Sequence, residues 1–306
     1  MIKLKSSTIK LILACFILSS GAYAQGKIIK IDNFKSQYVK ERNVEIWLPA
    51  EYFDNPGQKF PVLYMHDGQN VFNPETSSYG TAWEADEAAR IITGTGAAHP
   101  FIIVASWCTD VRFLEYFPEK AVQYLSPDDK AAVDELMQKM GMSATSLLGD
   151  EYLKFLVTEL KPYVDSKYRT LPDAKNTSIS GSSMGGLISM YAICEYPGVF
   201  GQAACVSTHW PVLFDNSNMA PSEAIRNYMK NHLPSPVNHR FYFDYGTATL
   251  DQYYEVHQNK VDELMQAKGY SRDENWVTMK FEGAEHNEKS WQARMDIILG
   301  FLYGKS

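Results

Sequence analysis

The sequence predicts an α/β fold in which helices cover both faces of a mostly parallel β-sheet. Short apolar runs rich in β-branched and aromatic residues alternate with segments of helical periodicity along most of the chain, which is typical of such a sheet. The central runs are almost continuously hydrophobic, as expected for strands buried on both faces. With 306 residues, of which 45% are hydrophobic and 13% aromatic, the chain can bury a large core, which argues against disorder.

The predicted elements follow one another in a regular order. Strands are expected at Val44–Leu48, Pro61–His66, Phe101–Trp107, Thr177–Gly181, Ala203–Ser207, Arg240–Tyr245 and Trp276–Phe281. Helical spacing occurs at Ala82–Ile92, Glu151–Ser166, Gly185–Glu195, Val256–Lys268 and Lys289–Leu302. The chain shows no internal repeat and no linker-like composition, so residues 25–306 are predicted to form a single domain.

One stretch, at about residues 119–149, interrupts this rhythm. It is polar and has a helical pattern from Pro127 to Met140, followed by Gly141-Met142-Ser143. Because it follows a predicted strand, it falls at the end of the sheet where such folds bind ligands. The insertion is therefore either a lid over the site or an excursion on the surface.

The first 24 residues have the pattern of a signal peptide. Three lysines precede an apolar run from Leu11 to Leu18, and Ala22-Tyr23-Ala24 supplies small residues for cleavage. The run is too short for a membrane-spanning helix, which needs roughly 20 residues. We therefore expect export to the periplasm or the medium, without stable membrane insertion. Lipoprotein processing at Cys15 is the less favoured alternative, because few apolar residues would precede that cysteine.

Charge and cysteine content limit the partners. The formal net charge is −7, and removal of the first 24 residues, with three lysines and no acid, brings it to −10. An acidic chain without a basic block argues against nucleic acid and anionic membrane surfaces as partners. Cys108, Cys194 and Cys205 are too few for a disulfide framework, although one pair can form. No metal-binding motif occurs, so no metal is expected.

The strongest chemical signal is the run Gly181-Ser182-Ser183-Met184-Gly185, here called the elbow. In a Gly-x-Ser-x-Gly pattern between a strand and a helix, the serine lies on a sharp turn. The residues on both sides of it must be small, because a Cβ there would collide with the adjacent backbone. The turn exposes the Ser183 hydroxyl at a helix N-terminus, where the dipole favours developing negative charge. The alternative is an ordinary Gly/Ser turn. The flanking elements favour a nucleophile at Ser183 rather than at Ser182.

A nucleophilic serine needs a base, and His286 is the best-placed histidine. It lies between the last predicted strand and the last predicted helix, which fits the chain order of nucleophile, acid and histidine. The acid orients the imidazole and should follow the predicted strand Arg240–Tyr245. Asp251 is favoured over Asp244 and Glu255, although a serine–histidine pair without a strong third member is an alternative.

Two backbone N–H groups are predicted to bind the oxyanion, which is usually the largest contribution to catalysis. One belongs to Met184, directly after the serine. The other belongs to Gln69, in the run His66-Asp67-Gly68-Gln69-Asn70, where Gly68 allows the backbone to turn toward the serine. The alternative is that this run is only a polar turn.

Taken together, these motifs resemble the putative esterase family of the α/β-hydrolase superfamily. The family includes esterase D, bacterial feruloyl and acetylxylan esterases, enterobactin-type siderophore esterases and mycolyltransferases. The elbow alone is common among hydrolases, but its combination with Leu63–Asn70 and Glu282–Trp291 is more specific. Thr81–Glu84 and the helix Glu151–Arg169 also match, and the likeness extends from about Tyr38 to the C-terminus.

The resemblance implies an α/β-hydrolase fold and a serine esterase without a cofactor, with Ser183 and His286 in the roles given above. It also places the second oxyanion donor at Gln69. The sequence departs from the family at the acid. Many relatives carry it just after a Gly-Thr pair, whereas here three residues separate Gly246-Thr247 from Asp251.

Polar and aromatic residues near the predicted site are candidates for substrate binding. Aromatic rings can stack on a sugar or an aromatic acyl group, and an arginine can hold a carboxylate or sugar hydroxyls. Such residues equally often pack in the core or rim. The candidates are His66, Trp83, Arg112, Tyr116, His209 and Trp210.

The favoured function is an exported serine esterase acting on a small-molecule or carbohydrate-linked ester. Acyl esters of carbohydrates, of feruloyl or acetyl type, are preferred to siderophore-like esters. One alternative is an acyltransferase on the same fold. Another is an inactive binding module, although the complete elbow and His286 argue against it. Export argues against the cytosolic S-formylglutathione role of esterase D.

Overall fold

The computed structural model describes residues 26–139 and 147–305, with only the backbone at 136 and 137. The predicted signal peptide, including Cys15, lies outside this part of the chain, as do residues 140–146 of the insertion. Within the described ranges, no helix combines the length and apolar character needed to cross a bilayer.

Eight strands form one sheet in the order β1-β2-β4-β3-β5-β6-β7-β8. Their bounds are β1 Lys27–Phe34, β2 Arg42–Leu48, β3 Val62–Met65, β4 Ile102–Ser106, β5 Thr177–Ser182, β6 Gln202–Val206, β7 Arg240–Gly246 and β8 Trp276–Phe281. Strands β3 to β8 pair in parallel, whereas β1 and β2 are antiparallel to their neighbours. The predicted mostly parallel sheet is confirmed. All seven predicted strands occur, and β1 is an additional edge strand.

The helices connect and cover these strands. Their bounds are α1 Ala50–Asp54, α2 Ala85–Gly94, α3 Arg112–Glu115, α4 Pro127–Lys139, α5 Gly149–Lys154, α6 Lys161–Lys167, α7 Met184–Glu195, α8 Ala220–His232, α9 Glu255–Ala267, α10 Glu288–Gln292 and α11 Met295–Tyr303. A π-helical turn, Phe155–Leu160, joins α5 to α6. It precedes Pro162, which lacks the N–H that a regular helix would use. The predicted last helix is divided into α10 and α11.

Helices cover both faces of the sheet, as the sequence predicts. Along β3, Val62 and Tyr64 pack into one core with α7 and α8, whereas Leu63 and Met65 pack into a second core with α2 and α11. This alternation follows from the period of two in a strand. Eleven of the twelve residues of α7 are buried. The helix that follows the elbow therefore lies inside the molecule and fixes the position of the elbow.

Candidate active site

The elbow has the strained backbone that the sequence predicts. Ser183 lies between the end of β5 and the start of α7, with φ 59° and ψ −120°, a combination that L-residues rarely adopt. A Cβ on Gly181 would lie 2.9 Å from the Gly185 backbone and 2.9 Å from His66 Cδ2. Only glycine therefore allows this close approach. Strain of this kind persists where the surrounding structure enforces it, commonly at functional sites.

His286 and Asp251 form a direct hydrogen bond. The distance from His286 Nδ1 to Asp251 Oδ1 is 2.5 Å, and the Asp251 side chain is fully buried while 13% of His286 is exposed. The His286 backbone N–H donates to Thr249 Oγ1 at 2.8 Å. The ring of His286 also meets the edges of Trp291 and Tyr254, with centroids 5.0 and 5.6 Å apart. These contacts fix the plane of the imidazole.

Asp251 is held as a carboxylate by three donors. Besides His286, it accepts hydrogen bonds at Oδ2 from the Gly246 N–H and the Ser207 hydroxyl, each at 2.6 Å. Burial alone raises the pKa of Asp251, but the hydrogen bonds from His286, Ser207 and Gly246 outweigh it and lower the pKa below the usual value. An ionised carboxylate can only accept, so His286 Nδ1 carries the proton and Nε2 is left as a base.

The loop after β7 explains how an acid at this offset reaches the histidine. The backbone N–H groups of Thr247 and Ala248 both donate to the Ala284 carbonyl, at 3.1 and 3.0 Å. The Gly283 N–H donates to Thr247 Oγ1 at 2.7 Å. Thr247 and Ala248 thus join the loop that carries Asp251 to the loop that carries His286. Asp251 then lies in the short 3₁₀ helix Thr249–Tyr253, within reach of the imidazole.

Ser207 connects Asp251 to a second buried carboxylate. Its hydroxyl accepts from Trp291 Nε1 at 3.0 Å and from Arg294 Nη2 at 2.8 Å. Both groups can only donate, so the single proton of Ser207 must go to Asp251. Arg294 also pairs with Asp244 at 2.7 Å, whose carboxylate accepts from the Ser207 N–H at 2.8 Å. The site acid is therefore anchored to a buried ion pair.

The two other acids considered from the sequence lie elsewhere. Asp244 is fully buried with Arg294, and burial raises the pKa of its carboxyl. Glu255 is half exposed and pairs with Lys280 on the surface at 3.1 Å. Of the three candidates, Asp251 is the one hydrogen-bonded to His286.

The loop after β3 contains Gln69, the residue predicted to carry the second oxyanion donor. Asp67 has φ 55° and begins the 3₁₀ turn Gly68–Asn70. A Cβ on Gly68 would lie 2.7 Å from the Ala105 carbonyl, so glycine lets this loop pass close to β4. The Gln69 side chain is held by Cys108, with Oε1 accepting from the Cys108 N–H at 3.1 Å. Met184, the other predicted donor, is the first residue of α7, where the N–H has no intrahelical acceptor.

A cavity of about 280 Å³ opens over these residues. Ser183 and His286 share it with Gln69 and Arg112, and none of the described residues 119–139 contributes to its wall. The described part of the insertion instead places α4 beside α8. The full lining is Asp67, Gln69, Asn70, Ser78, Tyr79, Cys108, Arg112, Ser182, Ser183, His286, Asn287, Glu288 and Trp291.

Arg112 is the one residue of the tentative substrate-binding set that lines this cavity. The other five are at most 4% exposed and have partners inside the protein, namely Tyr152 for His66, Trp291 for Trp83, Asp67 for Tyr116, Tyr254 for His209 and Gln258 for Trp210. The sequence alone does not distinguish a side chain that faces the cavity from one that packs behind it.

His66 and His209 are buried neutral side chains. Burial lowers the pKa of each to about 3. His66 packs beneath the elbow and contacts the Tyr152 hydroxyl at 2.8 Å through Nδ1. His209 Nδ1 contacts the Tyr254 hydroxyl at 2.7 Å. Both therefore support the site from behind the cavity.

Three residues of the site were not identified from the sequence. Ser207 was predicted only as a strand end, although it contacts the acid. Tyr254 packs its ring against that of His286, and its hydroxyl contacts His209. Glu288 follows the histidine by two residues and lines the cavity. Of the three, only Glu288 could have been identified from the sequence, because it lies two positions after His286.

Comparison with known proteins identifies the family. The profile of the family described as "Putative esterase" matches residues 36–302. The uncharacterized protein YbbA of Bacillus subtilis (strain 168) is 21% identical over 274 residues, which cover 87% of this chain and 94% of that protein.

Solved structures share the fold. A ferulic acid esterase superposes with a TM-score of 0.65 at 18% identity, over 91% of this chain and 98% of that chain. The enterobactin esterase FES from Shigella flexneri superposes with a TM-score of 0.63 at 17% identity, over 91% of this chain and 59% of that chain. Since the family profile covers most of the sequence, the chain belongs to the putative esterase family, carboxylic ester hydrolases of the α/β-hydrolase fold.

Proposed function

We propose that the protein hydrolyses carboxylic esters with a Ser183–His286–Asp251 triad. The observation that carries the proposal is that the strained Ser183 lines one cavity with His286, which is hydrogen-bonded to the buried Asp251. Gln69 and Met184 are proposed to supply the N–H groups that bind the oxyanion. Ser207 acts as a positioning residue because its hydroxyl donates to Asp251, and Tyr254 acts as one because its ring packs against that of His286.

The mechanism follows from the protonation states. Because Asp251 is ionised, His286 Nε2 is a free base and takes the Ser183 proton as Oγ bonds to the ester carbonyl carbon. Negative charge then develops on the carbonyl oxygen, where the two backbone N–H groups stabilise it. The imidazolium returns the proton to the departing alcohol oxygen as the ester bond breaks, leaving an acyl-enzyme.

Deacylation repeats these steps with water. His286 Nε2 removes a proton from water, the hydroxide oxygen bonds to the acyl carbon, and the proton passes back to Ser183 as the acid is released. The serine and the imidazole regain their starting states. No cofactor is needed for either half of this cycle.

Carbohydrate-linked acyl esters are the proposed substrates, ahead of siderophore-like esters. Support comes from the likeness to a ferulic acid esterase, which matches along nearly the full length of both chains. The cavity is small and has many hydrogen-bonding groups, which suits an acyl group attached to a hydroxylated alcohol.

The test is ester turnover by matched variants. Ser183→Ala and His286→Ala are each expected to abolish hydrolysis of p-nitrophenyl acetate, methyl ferulate and acetylated xylan while the folded circular dichroism spectrum is kept. The exposed residues Ser166 and His99 supply the controls Ser166→Ala and His99→Ala, which should retain activity. Undiminished turnover in Ser183→Ala would contradict the proposal.

We also propose that the protein acts outside the cytoplasm. The support is the lysine-rich start, the apolar run and the small residues that end at Ala24. N-terminal sequencing of the protein purified from its host should begin at Gln25. A chain that starts at Met1, or one processed at Cys15, would contradict this proposal.

A further inference from the structure

Glu288 brings a carboxyl group to the cavity that contains Ser183. It is the first residue of α10, two positions after His286, and only 6% of it is exposed. That small exposed fraction faces the cavity, which Glu288 lines together with Ser183 and His286. Within the described ranges, its carboxylate has only its own backbone N–H as a hydrogen-bond partner. It is therefore free to interact with a bound ester.

Among the described residues that line the cavity, the one arginine or lysine is already paired. Arg112 makes two hydrogen bonds to Asp67, Nε to Oδ1 at 2.6 Å and Nη2 to Oδ2 at 2.7 Å. The Asp67 side chain is 3% exposed and that of Arg112 is 31% exposed. A bidentate pair of this kind is strong and has fixed geometry. Arg112 therefore has little net charge to offer to an anionic substrate.

The remaining ionisable groups of the lining do not change this balance. Burial raises the pKa of the Cys108 thiol to about 12, so the thiol is neutral. His286 is neutral when it acts as a base. Among the described lining residues, Glu288 is thus the group whose negative charge lacks a cationic partner. Burial raises the pKa of the Glu288 carboxyl above its usual value, and the charge of Asp67 adds to this, whereas its own backbone N–H, His286 and Arg112 act in the opposite direction.

We infer that Glu288 makes the cavity selective for esters that carry no negative charge beside the scissile bond. Like charges placed together at a binding surface oppose association, and the repulsion is stronger for a carboxylate that is largely buried, as Glu288 is. The inference rests on the proposed function and narrows its substrate class. It favours acyl groups on neutral sugar hydroxyls over half-esters of dicarboxylic acids, esters of uronic acids and anionic metal–catecholate esters.

The experiment compares charged and neutral esters of similar shape. On the acyl side, the pair is 4-nitrophenyl hemisuccinate and 4-nitrophenyl butyrate, each corrected for spontaneous hydrolysis. On the alcohol side, the pair is 4-acetoxybenzoate and its methyl ester. The measured quantity is the ratio of kcat/KM for the anionic ester to that for the neutral ester. The wild type, Glu288→Gln and Glu285→Gln are compared at pH 7.5.

Glu285→Gln is the matched control, because Glu285 is one residue before the histidine but is exposed and does not line the cavity. Glu288→Gln should raise the ratio about tenfold or more for at least one pair, whereas Glu285→Gln should leave both ratios within about twofold. The preference of the wild type for neutral esters should also weaken at high salt.

Two outcomes would overturn the inference. One is that Glu288→Gln leaves both ratios unchanged, and the other is that Glu285→Gln changes them equally. Failure of the proposed function is distinguishable, because the wild type would then hydrolyse none of the four esters. If the wild type hydrolyses neutral esters but the ratios do not respond to Glu288→Gln, only the inference about charge fails.

Discussion

Asp251→Asn tests how the triad acid controls the tautomer of the histidine. In the native site, Oδ2 accepts from the Gly246 N–H and the Ser207 hydroxyl, and Oδ1 accepts from His286. The backbone N–H of Gly246 cannot become an acceptor. An asparagine therefore keeps its carbonyl oxygen at the Oδ2 position and directs its NH₂ group at His286 Nδ1.

That arrangement places the imidazole proton on the wrong nitrogen. Nδ1 must then accept, so Nε2 carries the proton and cannot remove one from Ser183. A wrong tautomer lowers kcat by about four orders of magnitude, which corresponds to ~5.4 kcal/mol of transition-state stabilisation. Since both contacts at Oδ2 survive, the variant should remain folded.

The assay is steady-state hydrolysis of p-nitrophenyl acetate, with thermal unfolding as a check on the fold. Glu255→Gln serves as the control, because Glu255 pairs with Lys280 on the surface and should be close to wild type. Activity of Asp251→Asn within tenfold of wild type, in a folded protein, would refute the assignment of the acid and the tautomer argument together.

Two further predictions concern groups behind the cavity. Ser207→Ala removes one of the three donors to Asp251 and should lower kcat by about tenfold or more with little change in KM. An unchanged kcat, or a rise in KM as large as the fall in kcat, would contradict this. The variant also leaves a buried Trp291 N–H without its acceptor, at a cost of about 1–3 kcal/mol in unfolding free energy. His66→Gln tests linkage, because the low pKa of His66, about 3, lets the unfolded chain bind a proton that the folded state does not. Stability from this group is present above pH 6.5 and is lost as pH falls, by about 2.5 kcal/mol between pH 6 and 4. The free energy of unfolding measured in urea should thus fall more steeply from pH 6 to pH 4 for the wild type than for His66→Gln. Parallel pH profiles of the two proteins would disprove the effect.

The sequence predicts best those features that depend on local geometry. The elbow could be located because a serine flanked by glycines between a strand and a helix restricts the backbone in few ways. The parallel strands were found because burial on both faces leaves long apolar runs. Strand β1 was not predicted because none of its residues is fully buried, so this edge strand gives only a weak apolar signal.

Features that depend on distant contacts were not accessible in this way. Ser207 contacts Asp251 44 positions later and Arg294 87 positions later, and no periodic pattern records such a network. Trp83 and Trp210 have apolar rings large enough to contribute more by packing in the core than by lining a wet cavity. Glu288 differs from other acids near the histidine only in being buried, which the sequence does not reveal.

The most direct test of the central claim is to locate a covalent adduct. The wild-type protein is treated with a fluorophosphonate, digested, and its modified peptide sequenced by mass spectrometry. The account predicts one phosphonyl group, on Ser183, and much slower labelling of His286→Ala. An adduct on Ser182, or a folded wild-type protein that takes up none, would contradict it.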